Sequence, residues 1–255
     1  MAKATGGTWQ CTFDDEFDGS FLDKSKWVVQ QTSSSGFTGN GNVCYENGPS
    51  NVSVGNGALS LTVRAEAAPF SCSYPGGSFT TQYTGGMVST WGLFSQAYGR
   101  FEVRAKLPAA TVKGLQETLW LYPQKLTYGA WPASGEIDFA EFFSQYGNLD
   151  VPYIHYNEAG SDPNVTAYNC SIADWSQFHT YAVEWTTSGL TILLDGSTCL
   201  VDHPSPASPL VAPQPFDQPF VVMLTQALGY GSNAVDPAVT PLPATTQVDY
   251  VRVWK

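Results

Sequence analysis

Trp131-Pro-Ala-Ser-Gly-Glu136-Ile-Asp138-Phe-Ala-Glu141-Phe-Phe143 interleaves three carboxylates with large apolar residues. Successive side chains of a β-strand point to opposite faces, so Glu136 and Asp138 share one face while Ile137 and Phe139 enter a core. Glu141 lies five positions after Glu136, the wrong parity for a regular strand. A β-bulge near Phe139-Ala140 restores the phase and turns all three acids to one side. Glycoside hydrolysis with retention needs two carboxyls about 5–5.5 Å apart. Two glutamates leaning toward each other over a shorter aspartate approach that spacing, and the mutual repulsion of close carboxylates keeps one of them protonated near neutral pH. The pattern alone serves equally for catalysis, for a calcium site or for a solvated acidic face.

Outward from this stretch, period-2 alternation dominates. Leu59, Leu61 and Val63 share one face of Ala58–Arg64. Phe101, Val103, Ala105 and Leu107 share one face of Gly99–Leu107, with Arg100, Glu102, Arg104 and Lys106 on the other. Thr180–Trp185, Leu190–Leu194 and Val248–Trp254 are further strands, and Asp195-Gly196 is a hairpin turn. The longest helical candidate, Ile172–Phe178, makes about one turn. The proline-rich stretches 204–219 and 237–243 are loops, because proline cannot serve a central ladder. Many short strands joined by Gly, Pro and Asn turns predict an all-β sandwich or barrel. With no repeat or linker in sight, residues 1–255 are expected to form one domain.

Composition narrows the function. Hydrophobic residues make up 43% of the 255, enough for a full core, and only 13% are charged, so the surface is polar but largely uncharged. A net charge of −11 disfavours a nucleic-acid partner on electrostatic grounds, and acidic polysaccharides likewise. No apolar run is long enough to span a membrane. Cys11, Cys44, Cys72, Cys170 and Cys199 show no metal spacing, and two disulfides with one thiol left over suit an exported protein. The pairing stays open. Residues 1–7 lack a signal-peptide pattern and are expected to be a vector-derived or mature tail, the leader of a secreted protein having been removed.

The catalytic-looking stretch is similar to the bulged ExDxxE signature of glycoside hydrolase family 16, in its laminarinase form (endo-1,3-β-glucanase). Its neighbours agree in order along the chain. Phe13–Gly19 and Leu22–Trp27 resemble the family's amino-terminal segment, and Tyr98–Lys106 a strand leading toward the cleft. Trp131–Gly135 resembles the lead-in, Phe178–Trp185 with Asp195-Gly196 a later hairpin, and Val248–Trp254 the closing strand.

The resemblance implies a jelly-roll β-sandwich of two curved antiparallel sheets, concanavalin-A-like, whose concave face binds a β-glucan polysaccharide or oligosaccharide. It implies Glu136 as nucleophile, Asp138 as helper and Glu141 as general acid/base. It places Trp131 against a sugar ring, Arg100 and Glu102 on sugar hydroxyls, His155 beside the catalytic strand and Asn42 near the glycone side, and counts Trp120 among the substrate-binding residues. It implies no cofactor for catalysis, a structural calcium held by Glu16, Gly57 and Asp249, and a monomer. Apart from the family, the lesser reading makes Arg100 and Glu102 a surface cross-strand ion pair, and Trp131 and Trp120 ordinary core aromatics.

Two segments depart from the family pattern. Gly114-Leu-Gln-Glu-Thr-Leu-Trp120 carries Gln116 where an aromatic is usual and adds Glu117. Leu224-Thr-Gln-Ala-Leu-Gly-Tyr230 replaces the usual Leu-Asn-Leu-Ala-Val-Gly-Gly. These alter the expected cleft wall and leave substrate preference open among laminarin, mixed-linkage glucan and agarose. They also leave open a glucan-binding protein with weak or lost catalysis.

Overall fold

The structure, a computed structural model, describes residue 3 and residues 6–255. Two sheets lie face to face. One, the outer sheet, is built on Ala244–Trp254, flanked on one side by Gly99–Lys106, His179–Thr186, Gly189–Leu194 and Ser197–Asp202. Its other side carries Ala58–Val63 and Cys11–Asp15. The second, the cleft sheet, runs Gly86–Ser89, Phe220–Leu228, Leu115–Pro123, Glu136–Phe143 and then Tyr153–His155 and Leu149–Asp150. Among the described residues every strand pairing is antiparallel except that of Val43–Tyr45 with Tyr83–Gly85.

The long hairpin Ala58–Tyr74/Gly77–Ser89 joins the sheets. Its first strand starts in the outer sheet beside Ala244–Val248, and its second ends in the cleft sheet beside Met223–Gln226. On the opposite flank the disulfide Cys170–Cys199 ties the border strand Cys170–Ser171 of the cleft sheet to Ser197–Asp202 of the outer sheet. A second disulfide, Cys44–Cys72, anchors the strand beside the cleft to the hairpin, and Cys11 is left free and exposed.

The alternating strands bury the faces their sequences assign. Phe101, Val103 and Ala105 of the outer sheet meet Leu119, Leu121, Ile137 and Phe139 of the cleft sheet in one core. Each large apolar side chain so enclosed contributes about 1.5–3 kcal/mol. Phe220–Leu228 shows no alternation because both of its faces are covered. Val222 and Leu224 join the central core, while Val221, Met223 and Ala227 join a second cluster with Tyr45 and Met87 under the cleft floor.

The one-turn helix expected at Ile172–Phe178 is absent; the segment forms turns, and among the described residues the single α-helix is Thr32–Ser35. Trp175 is buried against Phe142 there, and its packing fixes the chain without helical hydrogen bonds. The Asp195-Gly196 turn is confirmed, with positive φ of 49° and 77° at its two residues.

Candidate active site

The bulge sits where parity requires it. Opposite Leu115–Pro123, Ala140 faces Leu119 and Asp138 faces Trp120, so Phe139 has no partner in the register. Phe139 and Ala140 both enter the core, and Glu136, Asp138 and Glu141 all line one open cavity of about 310 Å³ on the outer side of the cleft sheet. His155, across the ladder from Glu136, joins them. Its Nε2 lies 3.1 Å from Asp138 Oδ2 and 3.8 Å from Glu136 Oε1, and its ring stacks on Tyr153 with centroids 4.1 Å apart. Ligand atoms of Glu136, Asp138 and His155 lie within 4.8 Å of one another, the one such group among the described residues close enough to hold a metal ion.

Burial drives the electrostatics. It pushes all three carboxyls well above the usual carboxylate range; the charge of Asp138 adds to the effect on Glu136 and Glu141. The cluster therefore retains protons at neutral pH. Two influences favour an ionised Glu136, the neighbouring His155 and a hydrogen bond from Trp131. Burial lowers the His155 pKa, against the pull of Glu136 and Glu141. Gln116 Nε2 donates a 2.7 Å hydrogen bond to Glu141 Oε1.

Aromatic groups wall the cavity. Trp131 is 54% exposed at its rim, 5.4 Å from the His155 ring. Trp120 also faces the cavity: its Nε1 donates to Thr225 Oγ1 at 3.0 Å and its ring packs edge-on against Phe37 and Tyr122. Tyr230, from the second departing segment, completes the rim at 56% exposure. The sequence reasoning did not single out Thr118, Thr225, Phe37 or Gln116 as site residues. Alternation along Leu115–Pro123 already sets Gln116 and Thr118 on the face of Trp120.

Other expected residues lie away from the cavity. Arg100 and Glu102 lie on the outer face of the outer sheet, across the whole core from the cavity, because their strand buries Phe101 and Val103 toward the cleft sheet. Arg100 donates to Glu102 and, at 2.7 Å, to Glu184, and the Tyr250 hydroxyl donates to Glu102 at 2.8 Å. The cross-strand ion pair is the correct reading. Asn42 does not line the cavity; its carbonyl accepts the Thr81 hydroxyl.

The carboxylates of the residues expected to hold calcium are paired with arginines. Both carboxylate oxygens of Glu16 accept from Arg252, at 2.7 and 2.8 Å, and Asp249 accepts from Arg104, while Gly57 occupies a tight turn at φ 72°. Guanidinium groups already neutralise these carboxylates. Glu117, finally, points into the core rather than into the cleft. Its Oε1 accepts from Gln226 Nε2 at 2.8 Å, and Gln226 Oε1 accepts from the Thr246 hydroxyl of the outer sheet at 2.7 Å.

Residues 39–236 match the sequence model of glycosyl hydrolases family 16. A beta-glucanase of Rhodothermus marinus is 34% identical over 180 residues, covering 65% of this chain and 60% of that protein. A keratan-sulfate endo-1,4-beta-galactosidase of Sphingobacterium multivorum is 33% identical over 174 residues, covering 66% of this chain and 39% of that protein. The chain thus spans less than two thirds of the length of these curated relatives. Among solved structures, the laminarinase from Rhodothermus marinus superposes with a TM-score of 0.78 at 30% identity, covering 97% of this chain and 98% of that one.

Proposed function

The chain belongs to glycosyl hydrolases family 16, and from that premise we propose that it is a secreted, monomeric glycosidase cutting internal β-1,3-glucosidic bonds of laminarin-type glucans by double displacement. One observation carries the reading: Glu136, Asp138, Glu141 and His155 converge in a single open cavity walled by Trp131, Trp120 and Tyr230. Members of the family need no cofactor for catalysis. The two disulfides support export.

In this mechanism the Glu136 carboxylate attacks the anomeric carbon while Glu141 gives its proton to the departing glycosidic oxygen. Glu141, now ionised, takes a proton from water, and the water oxygen displaces Glu136 from the glycosyl ester. Asp138, hydrogen-bonded to Glu136 and beside His155, steadies the charge that leaves and returns to the nucleophile. The buried cluster retains a proton for Glu141 to give, since burial raises its carboxyl to about 8. Trp131 supplies a face for a pyranose ring.

Other β-linked polymers remain as second readings, among them mixed-linkage glucan and agarose. The galactosidase relative suggests a sulfated galactan, which the net charge of −11 disfavours. A beta-1,3-glucan-binding protein of Penaeus monodon is also similar, at 30% identity, but the clustering of Glu136, Asp138 and Glu141 favours catalysis over binding alone. The test is reducing-sugar release from laminarin by the wild type and by Glu136→Gln, with NMR of the first-formed anomer. Activity that yields the β-anomer and vanishes in the variant supports the proposal. Inactivity of the folded wild type on laminarin, with cleavage of another β-glycan, overturns the substrate. A first-formed α-anomer overturns retention.

A further inference from the structure

Behind the catalytic strand, on the side away from the cavity, lies a second acid to which the mechanism above gives no part. Asp150 is 1% exposed, in the two-residue strand Leu149–Asp150 that borders Glu136–Phe143. Its Oδ1 accepts a 3.0 Å hydrogen bond from the backbone N–H of Glu141. The carbonyl of Glu141 accepts from the N–H of Val151 at 2.8 Å.

The register explains why a side chain is needed there. On this flank Asp150 stands opposite Phe142 and Tyr153 opposite Asp138, so four steps on the catalytic strand meet three on its neighbour. The bulge inserts the extra residue, and the neighbouring strand breaks at Val151-Pro152, where Pro152 has no N–H to offer. A backbone carbonyl that would take the Glu141 N–H in a regular ladder is missing at this point. The Asp150 carboxyl occupies its place. We propose that Asp150 is a positioning residue for Glu141: its buried carboxyl substitutes for the absent ladder acceptor, fixes the Glu141 peptide at the bulge, and so aims the proton donor at the glycosidic oxygen.

Burial raises the Asp150 pKa well above its ordinary value, against the opposing hydrogen bond from Glu141. Oδ2 and the buried Tyr181 hydroxyl both lack a hydrogen-bond partner. They are close enough for the charge of Asp150 to affect Tyr181, and the tyrosine closes the pocket from the outer sheet.

The inference rests on the reading of Glu141 as acid/base, and its test separates the two. Asp150→Leu keeps the approximate shape and removes the acceptor; Asp150→Ala serves if the leucine variant does not fold. Asp150→Asn keeps an acceptor. Each is compared with the wild type and with Glu141→Gln by kcat/KM, which reports the glycosylation step. The substrates are laminarin and a dinitrophenyl β-glycoside of laminaribiose, whose leaving group departs without a proton.

The expected result is a loss of about 10²-fold on laminarin for Asp150→Leu, the scale of a misplaced catalytic group. The loss on the dinitrophenyl substrate is expected to be under about threefold, and Asp150→Asn is expected to recover most laminarin activity. If Glu141→Gln shows that split and Asp150→Leu loses both substrates equally or neither, positioning by Asp150 is overturned while the acid/base reading stands. Failure of Asp150→Asn to recover activity also overturns it. If Glu141→Gln itself shows no split, the acid/base reading falls and the inference with it.

Discussion

Replacing Glu117 by glutamine is expected to abolish part of the pH dependence of folding. Glu117 is 2% exposed, bridges to Gln226 between the sheets, and burial pushes its pKa up to about 8 from 4.5. The sign follows from proton counting. Between pH 4.5 and 8 the unfolded chain releases this proton while the folded chain keeps it, so folding loses stability as pH rises through that window and levels off above it. From pH 5 to pH 8 the loss from this group amounts to about 3–4 kcal/mol. For a chain of this size that is roughly 6–16 °C in Tm.

Glutamine stays neutral at every pH, and its carbonyl oxygen still accepts from Gln226. Urea melts of both proteins at pH 5, 6, 7 and 8 isolate the contribution. The other buried acids titrate alike in both, so they cancel in the difference. The difference in unfolding free energy is expected to grow with pH in favour of Glu117→Gln. Parallel loss of stability in the two proteins would show that Glu117 ionises freely in the fold and would refute the reasoning.

Gln116→Ala removes a hydrogen bond that favours ionised Glu141. The alkaline limb of the kcat/KM profile on laminarin is therefore expected to move to higher pH, and an unchanged or lowered limb counts against Gln116 acting on that proton. Trp131→Ala removes an exposed ring at the cavity rim and its hydrogen bond to Glu136; losing the ring costs about 1 kcal/mol of sugar binding, so KM is expected to rise roughly fivefold with a lowered kcat, measurable on laminarin oligosaccharides. Arg100→Ala leaves Glu102 and Glu184 without their partner. It is expected to destabilise the fold by about 1–3 kcal/mol in urea melts while KM stays unchanged, whereas a raised KM would return Arg100 to the substrate.

The elements legible in the sequence are those with one covered face. Gly99–Lys106 alternates so cleanly that its buried set is readable residue by residue, and the parity of Glu136, Asp138 and Glu141 is enough to locate the bulge. What alternation does not say is which way a face looks. Arg100 and Glu102 stand on the polar face of a good strand, but that strand belongs to the outer sheet, so its polar face meets solvent far from the cavity. Glu117 misled for the converse reason: an acid next to a departing residue suggested the cleft, although its odd position in Leu115–Pro123 sets it with Leu119 and Leu121 in the core. Phe220–Leu228 hides its pattern because both faces are covered. Asp150 acts through a gap in its neighbour's ladder, which only the register reveals. The disulfide partners are 28 and 29 residues apart in sequence, and their pairing depends on the way the sheets stack.

The Ala58–Tyr74/Gly77–Ser89 hairpin and the Cys170–Cys199 bond lie on opposite flanks of the sandwich. In cross-section the protein is thus a sleeve, with a folded ribbon for one seam and a covalent stitch for the other, around an oily filling. The cavity opens on the outer surface of one wall. A sideways load on that wall is shared by both walls, because neither seam gives them a free margin from which to peel.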